Sequence, residues 1–316
     1  MTEFTRASLI TLSYSGDFDA CRAMCESADR FVDPAIAHTI YVPKREIALF
    51  APLANGRRRI EAEEDLLPTW MWRVPMPSRE WRRRLMLPRR NVFLTPYSRP
   101  VRGWIAQQMM KIQAASQAAD EIVVHVDSDN AFVRPMGLGA LAKPGGVRLY
   151  INPKHETRET HRLWHREAAR LLRAPSDDFH AGDPIDGLVV WRRSLARAMI
   201  ARIEHVGGRD WRRILAGTRH FSEYVLYSVF VETCVGFAAS GHVVEPFSLS
   251  FGLWLDRPAD ARAEEAFLDT LEPQHLVCLI QSTIAMDDAE RRALFARVEA
   301  RAAAQDHATA ALGGPT

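Results

Sequence analysis

Glu121-Ile122-Val123-Val124-His125-Val126-Asp127-Ser128-Asp129 is a short β-branched run that leads straight into two carboxylates one residue apart. An apolar run of this length and composition reads as a buried strand. In extended backbone, residues i and i+2 project from the same side. Asp127 and Asp129 are therefore expected to converge where the strand ends. An oxygen-rich pair of this kind suits a hard divalent cation, Mg²⁺ or Mn²⁺, that bridges to phosphate oxygens. The plainer reading of the same letters is an acidic turn after a strand.

Upstream, Ala7-Ser8-Leu9-Ile10-Thr11-Leu12-Ser13 reads as a first buried strand and Tyr14-Ser15-Gly16-Asp17 as a turn with a helix cap. Phe18 to Phe31 carries apolar residues at helical spacing. Ala37-His38-Thr39-Ile40-Tyr41-Val42 is a second strand, halted by Pro43. Strand, helix, strand predicts a right-handed parallel crossover. Ligands of such sheets gather at the carboxyl ends of the strands. Ser13, Tyr14 and the Pro43-Lys44-Arg45 turn thus lie where a nucleotide base and ribose would sit. No Gly-x-Gly-x-x-Gly or Gly-x-x-x-x-Gly-Lys-Ser/Thr loop follows the first strand, which argues against a dinucleotide dehydrogenase and a P-loop NTPase. A phosphate binder without a glycine cradle must neutralise its ligand another way, and a cation held by Asp127 and Asp129 would do so.

The chain has 316 residues, 47% hydrophobic and 25% charged, enough to bury a substantial core. A formal net charge of +2 gives no electrostatic case for nucleic acid. Lys44, Lys111, Lys143 and Lys154 are the only lysines in an arginine-dominated chain. Cys21, Cys25, Cys234 and Cys278 have neither zinc-site nor disulfide-framework spacing, so buried free thiols in a reducing cytoplasm are expected. The N-terminus lacks the apolar core of a signal peptide, and no run of about 18 apolar residues predicts a membrane span. Residues 1–300 are expected to form the folded domain, with a disordered tail over 301–316.

Residues 55–102 read as an irregular insertion, basic and proline-rich, with Trp70, Trp72, Trp81 and the runs Arg57-Arg58-Arg59 and Arg82-Arg83-Arg84. Such a stretch either packs its tryptophans on the sheet edge or forms a peripheral patch that meets an anionic membrane or an acidic acceptor. Val101 to Ala118 is a predicted helix. Trp104, Gln108 and Lys111 share one face of it. Gly146 to Ile151 is a further strand. His155, His161, His165 and His180 follow. His161 and His165 are four apart on a helix, but the glutamate of His-Glu-x-x-His is missing, so helix packing or acceptor recognition fits better than a zinc hydrolase.

Gly103-Trp104-x-x-Gln107-Gln108-x-x-Lys111 ahead of Val126-Asp127-Ser128-Asp129 resembles GT-A-type nucleotide-sugar glycosyltransferases, nearest to an uncharacterised bacterial glycosyltransferase-like family. The resemblance extends from Ala7 to Thr283. It implies an α/β fold, a single GT-A (Rossmann-like) domain whose mixed, mostly parallel central sheet is flanked by helices. It implies that Asp127 and Asp129 bind Mn²⁺ or Mg²⁺, and that Gln108, Lys111 and Ser128 join Ser13, Tyr14 and Lys44 at a nucleotide-diphosphate sugar donor. Asp183-Pro184-Ile185-Asp186-Gly187-Leu188 looks like the segment that enters a strand beside the sugar in retaining members, with Asp186 near the place of an asparagine. Phe221-Ser222-Glu223-Tyr224-x-Leu226-Tyr227 implies a helix start where Glu223 orients the sugar or deprotonates the acceptor. Its other reading is a first-turn glutamate in a helix capped by Ser222. Gln281, after the late strand His275–Ile280, stands where GT-A enzymes take a third metal ligand, with His242 and His275 as rivals.

The function so implied is metal-dependent transfer of a sugar to a glycan, lipid-linked or small-molecule acceptor, in cell-surface glycan synthesis among other settings. The alternatives are a nucleotidyltransferase and a non-catalytic nucleotide-sugar binder on the same fold. Neither the acceptor, the stereochemistry nor the oligomeric state is set by these features.

Overall fold

The computed structural model describes residues 4–74, 84, 91–153 and 159–312. In chain order come β1 (Ala7–Leu12), α1 (Phe18–Phe31), β2 (Ala37–Val42), β3 (Arg58–Ala62), β4 (Trp72–Arg73), β5 (Val92–Leu94), β6 (Val101–Arg102), α2 (Gly103–Gln117), β7 (Ile122–Val126) and β8 (Asn130–Phe132). The second half holds β9 (Ala142–Lys143), β10 (Gly146–Tyr150), α3 (Glu159–Leu172), β11 (Leu188–Arg192), α4 (Arg193–Gly207), α5 (Trp211–Ala216), α6 (Glu223–Phe230), β12 (His242–Glu245), β13 (Ser250–Leu253), α7 (Ala261–Leu268), β14 (Val277–Ile280) and α8 (Asp288–Leu312). Short helical turns join several of these.

The central sheet has five strands in the order β11-β7-β1-β2-β3. β7, β1, β2 and β3 run parallel, and β11 closes one edge antiparallel to β7. The fold is α/β with a mixed, mostly parallel sheet flanked by helices, and its β1–β2 pair is parallel, as the strand–helix–strand opening predicts. Cys21, Met24, Cys25 and Ala28 of α1 repeat at i, i+3, i+4 and i+7 and are all buried. That single apolar face is what makes this stretch a packed helix. It lies on one side of the sheet with Ile122, Val124, Val126, Leu188 and Val190. The alternate residues Val123, Val189 and Trp191 face the other side, against α2 and α6. The Trp191 ring stacks on Tyr227 at 4.4 Å.

After Val126 the chain leaves the central sheet and enters a second one, in which β8 pairs antiparallel with β14 and β14 pairs parallel with β13. Asp127, Ser128 and Asp129 form the corner between the two sheets. Residues 128–129 are a turn, closed by the Asn130 amide on the Asp127 carbonyl at 3.3 Å. The expected extended alternation of the two carboxylates is therefore replaced by a bend.

Other expectations need correction. The insertion 55–102 is not irregular throughout: the arginine run leads into β3, a full strand of the central sheet. Arg58 is buried there, bonded to Asp29, to the Cys25 and Leu53 carbonyls and to His38. Trp81, Arg82, Arg83 and His155 lie outside the described residues. Helix α8 continues to Leu312 with Ala302 fully buried, so the tail expected to be disordered from 301 is helical that far. Cys21, Cys25 and Cys278 are buried free thiols, but Cys234 is exposed. Among the described residues no helix is long and apolar enough to cross a membrane.

Candidate functional site

Helix α2 is covered over much of its surface by α4, α5, α6 and the sheet, so two of its polar residues are buried. Gln108 and Lys111 have relative exposures of 2% and 5%. A solvated stripe is thereby ruled out for them; Trp104, on the same predicted face, is at the surface, stacked on Trp164 at 5.6 Å. The Lys111 ammonium has three donors and meets three partners. Asp127 Oδ1 is 2.9 Å away, Glu223 Oε1 3.3 Å and the Tyr224 hydroxyl 2.9 Å. Burial works against its charge, but Asp127, Tyr224 and Glu223 outweigh it and hold the Lys111 pKa well above the ordinary lysine value.

Glu223 opens α6, buried. Its backbone N–H donates to Gln108 Oε1 at 2.7 Å, and the Ser222 side chain makes no capping bond. Gln108 thus replaces the expected serine cap from another helix. The Gln108 Nε2 group is buried without a hydrogen-bond partner among the described residues. Burial raises the Glu223 pKa, with Lys111 opposing and Asp127 adding to the rise. Behind the cluster, His125 is buried against Trp191, and burial followed by the Lys111 charge keeps its ring neutral.

Asp127 is the open member, its side chain 43% exposed. Asp129 sits across the turn. Its carbonyl accepts the Ile280 N–H at 3.1 Å and its carboxylate accepts the Ser282 N–H at 3.1 Å. The residues flanking Gln281 are therefore bonded to Asp129, and Arg291 of α8 clamps that exit through the Ile280, Gln281 and Ile284 carbonyls. Burial and then the Asp127 charge push the Asp129 carboxyl up to about 7. Asp17, in the turn after β1, is pushed up to about 6 by burial and again by Asp127. Sequence reading missed Asp17 as a site residue, and the only signal was an acidic letter in the turn between β1 and α1. Tyr224, also missed, was visible as the neighbour of Glu223.

The buried Lys111 thus holds Asp127 and Glu223, and the Asp127 charge reaches on to Asp129 and Asp17. Among the described residues no three His, Cys, Asp or Glu side chains form a group that could hold a metal by themselves. Mg²⁺ sites of the substrate-assisted kind use only one or two carboxylates and complete the shell with phosphate oxygens and water. Asp127 and Asp129 supply hard carboxylate oxygens of the kind such a cation takes, Asp127 already paired with Lys111 and the Asp129 carboxylate with the Ser282 N–H.

Of the remaining expected donor contacts, Ser128 is buried in the corner turn and Ser13 at the end of β1, its N–H on the Tyr41 carbonyl. Tyr14 is 44% exposed, with its ring over Gly16: a Cβ there would come within 2.4 Å of it. The loops after β1, β2 and β3 are tied together, Ser15 N–H to Glu46 and Lys44 N–H to Glu64. Pro43, Lys44, Arg45, Glu64 and Arg73 line a cavity of about 390 Å³ at this rim.

Asp186 is not part of the cluster. It lies in the loop ahead of β11. Its carboxylate accepts from Gly187 N–H and Ser248 Oγ at 2.9 and 2.8 Å, and from Leu249 N–H at 3.3 Å. Burial pushes it up to about 6 despite those bonds. A carboxyl pKa raised on folding means the folded protein holds more protons than the unfolded one. Its contribution to stability is then lost as pH rises from about 4 to about 6. The stability of the parent relative to Asp186→Asn, from urea melts, is expected to fall by roughly 2–3 kcal/mol between pH 4 and pH 7. A difference that grows with pH would contradict this.

The histidines form a separate group. His161 Nδ1 lies 3.0 Å from Asp183, and His165 stacks on His180 at 5.7 Å. His242 bonds to Tyr227 and the Val147 carbonyl, while His275 accepts the Glu272 N–H. Neither is bonded to the Asp127 corner.

With a mostly parallel α/β sheet and an acidic corner at its carboxyl edge defined, the chain belongs to the family of unknown function DUF6492, matched over residues 7–294. No curated protein matches it.

Proposed function

We propose that this chain is a metal-dependent glycosyltransferase of GT-A type that uses a nucleotide-diphosphate sugar. The observation that carries the reading is the anionic corner at the carboxyl edge of the parallel strands, where half-exposed Asp127 pairs with a buried lysine and Asp129 sits across the turn. Asp127 and Asp129 would hold the cation, with Gln281 as the further candidate ligand. When bound, Mn²⁺ or Mg²⁺ supplies positive charge for the diphosphate leaving group.

The chain's own groups do the remainder. Lys111 presents a fixed second positive charge beside Asp127, preorganised by Glu223 and Tyr224. Glu223, buried and paired, positions Lys111 rather than meeting solvent. The unpaired Gln108 amide would donate to a donor oxygen, removing the cost of about 1–3 kcal/mol that an unsatisfied buried group carries. Tyr14 and the Lys44 cavity would receive the nucleoside. In the reaction the anomeric carbon–oxygen bond to the diphosphate breaks and a bond to an acceptor oxygen forms as that oxygen loses its proton.

The test is product analysis with a panel of nucleotide sugars and Mn²⁺. Release of nucleoside diphosphate supports the reading. Release of pyrophosphate would make the chain a nucleotidyltransferase, and tight binding with no turnover across acceptors would make it a binding protein.

A further inference from the structure

The loop from α5 into α6, residues 217–222, is tied to α2 at two points. Arg102, the residue before α2, donates to the Arg219 carbonyl. Gln108 accepts the Glu223 N–H at 2.7 Å. The loop therefore follows the first two turns of α2, about 9 Å of helix rise, and ends beside the Lys111 and Asp127 corner.

Between this loop and α3 opens a cavity of about 380 Å³, its lining including Arg166, Glu167 and Arg170 of α3 and Thr218, Arg219 and His220 of the loop. Its described lining is one-sided in charge, three arginines against the single carboxylate of Glu167. Arg170 gives its Nε and one Nη to Glu167, at 2.8 and 2.6 Å, and Arg166 gives its Nε to Asp178 at 2.6 Å. A guanidinium has five N–H donors, so both keep donors beyond those bonds. Arg219 is exposed, and its guanidinium has no carboxylate partner among the described residues. Three guanidinium forks and an imidazole around one concave space match a tetrahedral oxyanion, which accepts several charge-assisted hydrogen bonds at once. The volume is that of a small-ligand pocket and suits a phosphorylated small molecule rather than a macromolecular surface.

We infer that this cavity binds a phosphoryl group, and that the group belongs to the acceptor. The second half rests on the reading of the chain as a glycosyltransferase; the first does not. His220 is three residues from Glu223, so their Cα atoms are at most about 11 Å apart. A ligand anchored by its phosphate at Arg219 can extend a hydroxyl along α2 to the corner. The cavity shares no described lining residue with the one at Lys44, so acceptor and nucleoside would not compete for space.

Titration calorimetry of the full chain with inorganic pyrophosphate tests the site, in EDTA so that no divalent cation brings the probe to Asp127. Binding is expected, and it should weaken as salt rises. Arg219→Ala is expected to raise the Kd by about tenfold or more, the scale of one charge-assisted contact. Arg262→Ala, at an exposed arginine of α7, is expected to leave it unchanged, and Asp127→Ala is expected not to weaken it. Absence of binding, undiminished binding by Arg219→Ala, or binding lost in Asp127→Ala each overturns the proposal. So does tighter binding of glucuronate, which would make the ligand a carboxylate. The acceptor role is tested with Mn²⁺ and a nucleotide sugar that the parent turns over. Glucose 6-phosphate and like phosphorylated sugars should show a lower KM as acceptors than their unphosphorylated counterparts, and Arg219→Ala should raise that KM by about tenfold. Equal use of both kinds overturns the role. If no nucleotide sugar is turned over at all, the glycosyltransferase reading fails, and the pyrophosphate titration still decides the site.

Discussion

Lys111→Met is expected to destabilise the protein by roughly 3–5 kcal/mol, the typical effect of stripping one partner from a buried ion pair. Methionine fills a similar volume, so the loss is electrostatic rather than a cavity. Glu223, at 4% exposure, keeps its carboxylate but loses its only cation within 4 Å among the described residues. The Tyr224 hydroxyl loses the same partner. Glu223 then escapes its charge by taking up a proton. Its pKa is already raised by burial, and without Lys111 it rises further. A raised carboxyl pKa gives stability at low pH that is lost as pH increases. The deficit of Lys111→Met should therefore be smaller at pH 5 than at pH 8, and adding Glu223→Gln should recover part of it. Urea melts of the two single variants and the double variant measure this. A deficit under about 1 kcal/mol, independent of pH, would mean that the pair is not the buried network described.

Asp127→Ala is expected to do the opposite: a small change in stability and a large one in function. The Asp127 side chain is 43% exposed, and Lys111 retains Glu223 and Tyr224 in its absence. Stability should stay within about 1 kcal/mol of the parent, as for other half-exposed ion pairs. Cation-dependent turnover of a nucleotide sugar should fall by about 10²–10³-fold, the scale on which removing one element of charge stabilisation acts. Steady-state rates over a Mn²⁺ series separate the two effects. Full metal-dependent turnover in the variant would remove Asp127 from the chemistry.

The fold was readable where one short-range signal sufficed. The apolar face Cys21-Met24-Cys25-Ala28 and the β-branched runs of β1, β2 and β7 depend only on local periodicity. β3 was hidden because its strand is written in arginines, and Arg58 is tolerated in the interior only through partners that come from α1, β2 and Leu53. Side-chain direction at a bend was equally hidden. Asp127 and Asp129 were found as a pair, but the turn at 128–129 that brings Asp129 to Ser282 depends on a strand 150 residues later. Gln108 and Lys111 stood out by their spacing ahead of β7, yet their burial follows from α2 being covered by α4, α5 and α6. Asp17 reaches the corner only because β1 and β7 are neighbours in the sheet. Asp186, in the loop ahead of β11, is held instead by Ser248 and Leu249, about 60 residues later, which its local sequence does not show. The small-polar tail reads as disordered on composition, but Ala302 packs with Leu294 and Val298 against the β13–β14 region.

The central claim is tested most directly by thermal denaturation of the parent chain and of Asp127→Ala with a panel of nucleotide-diphosphate sugars, each with and without Mn²⁺. A ligand that binds only the folded state raises the melting temperature. The account predicts that at least one nucleotide sugar raises it in the parent when Mn²⁺ is present, much less without Mn²⁺, and not in Asp127→Ala. No shift with any nucleotide sugar, or a shift of equal size without the cation or in the variant, would contradict it.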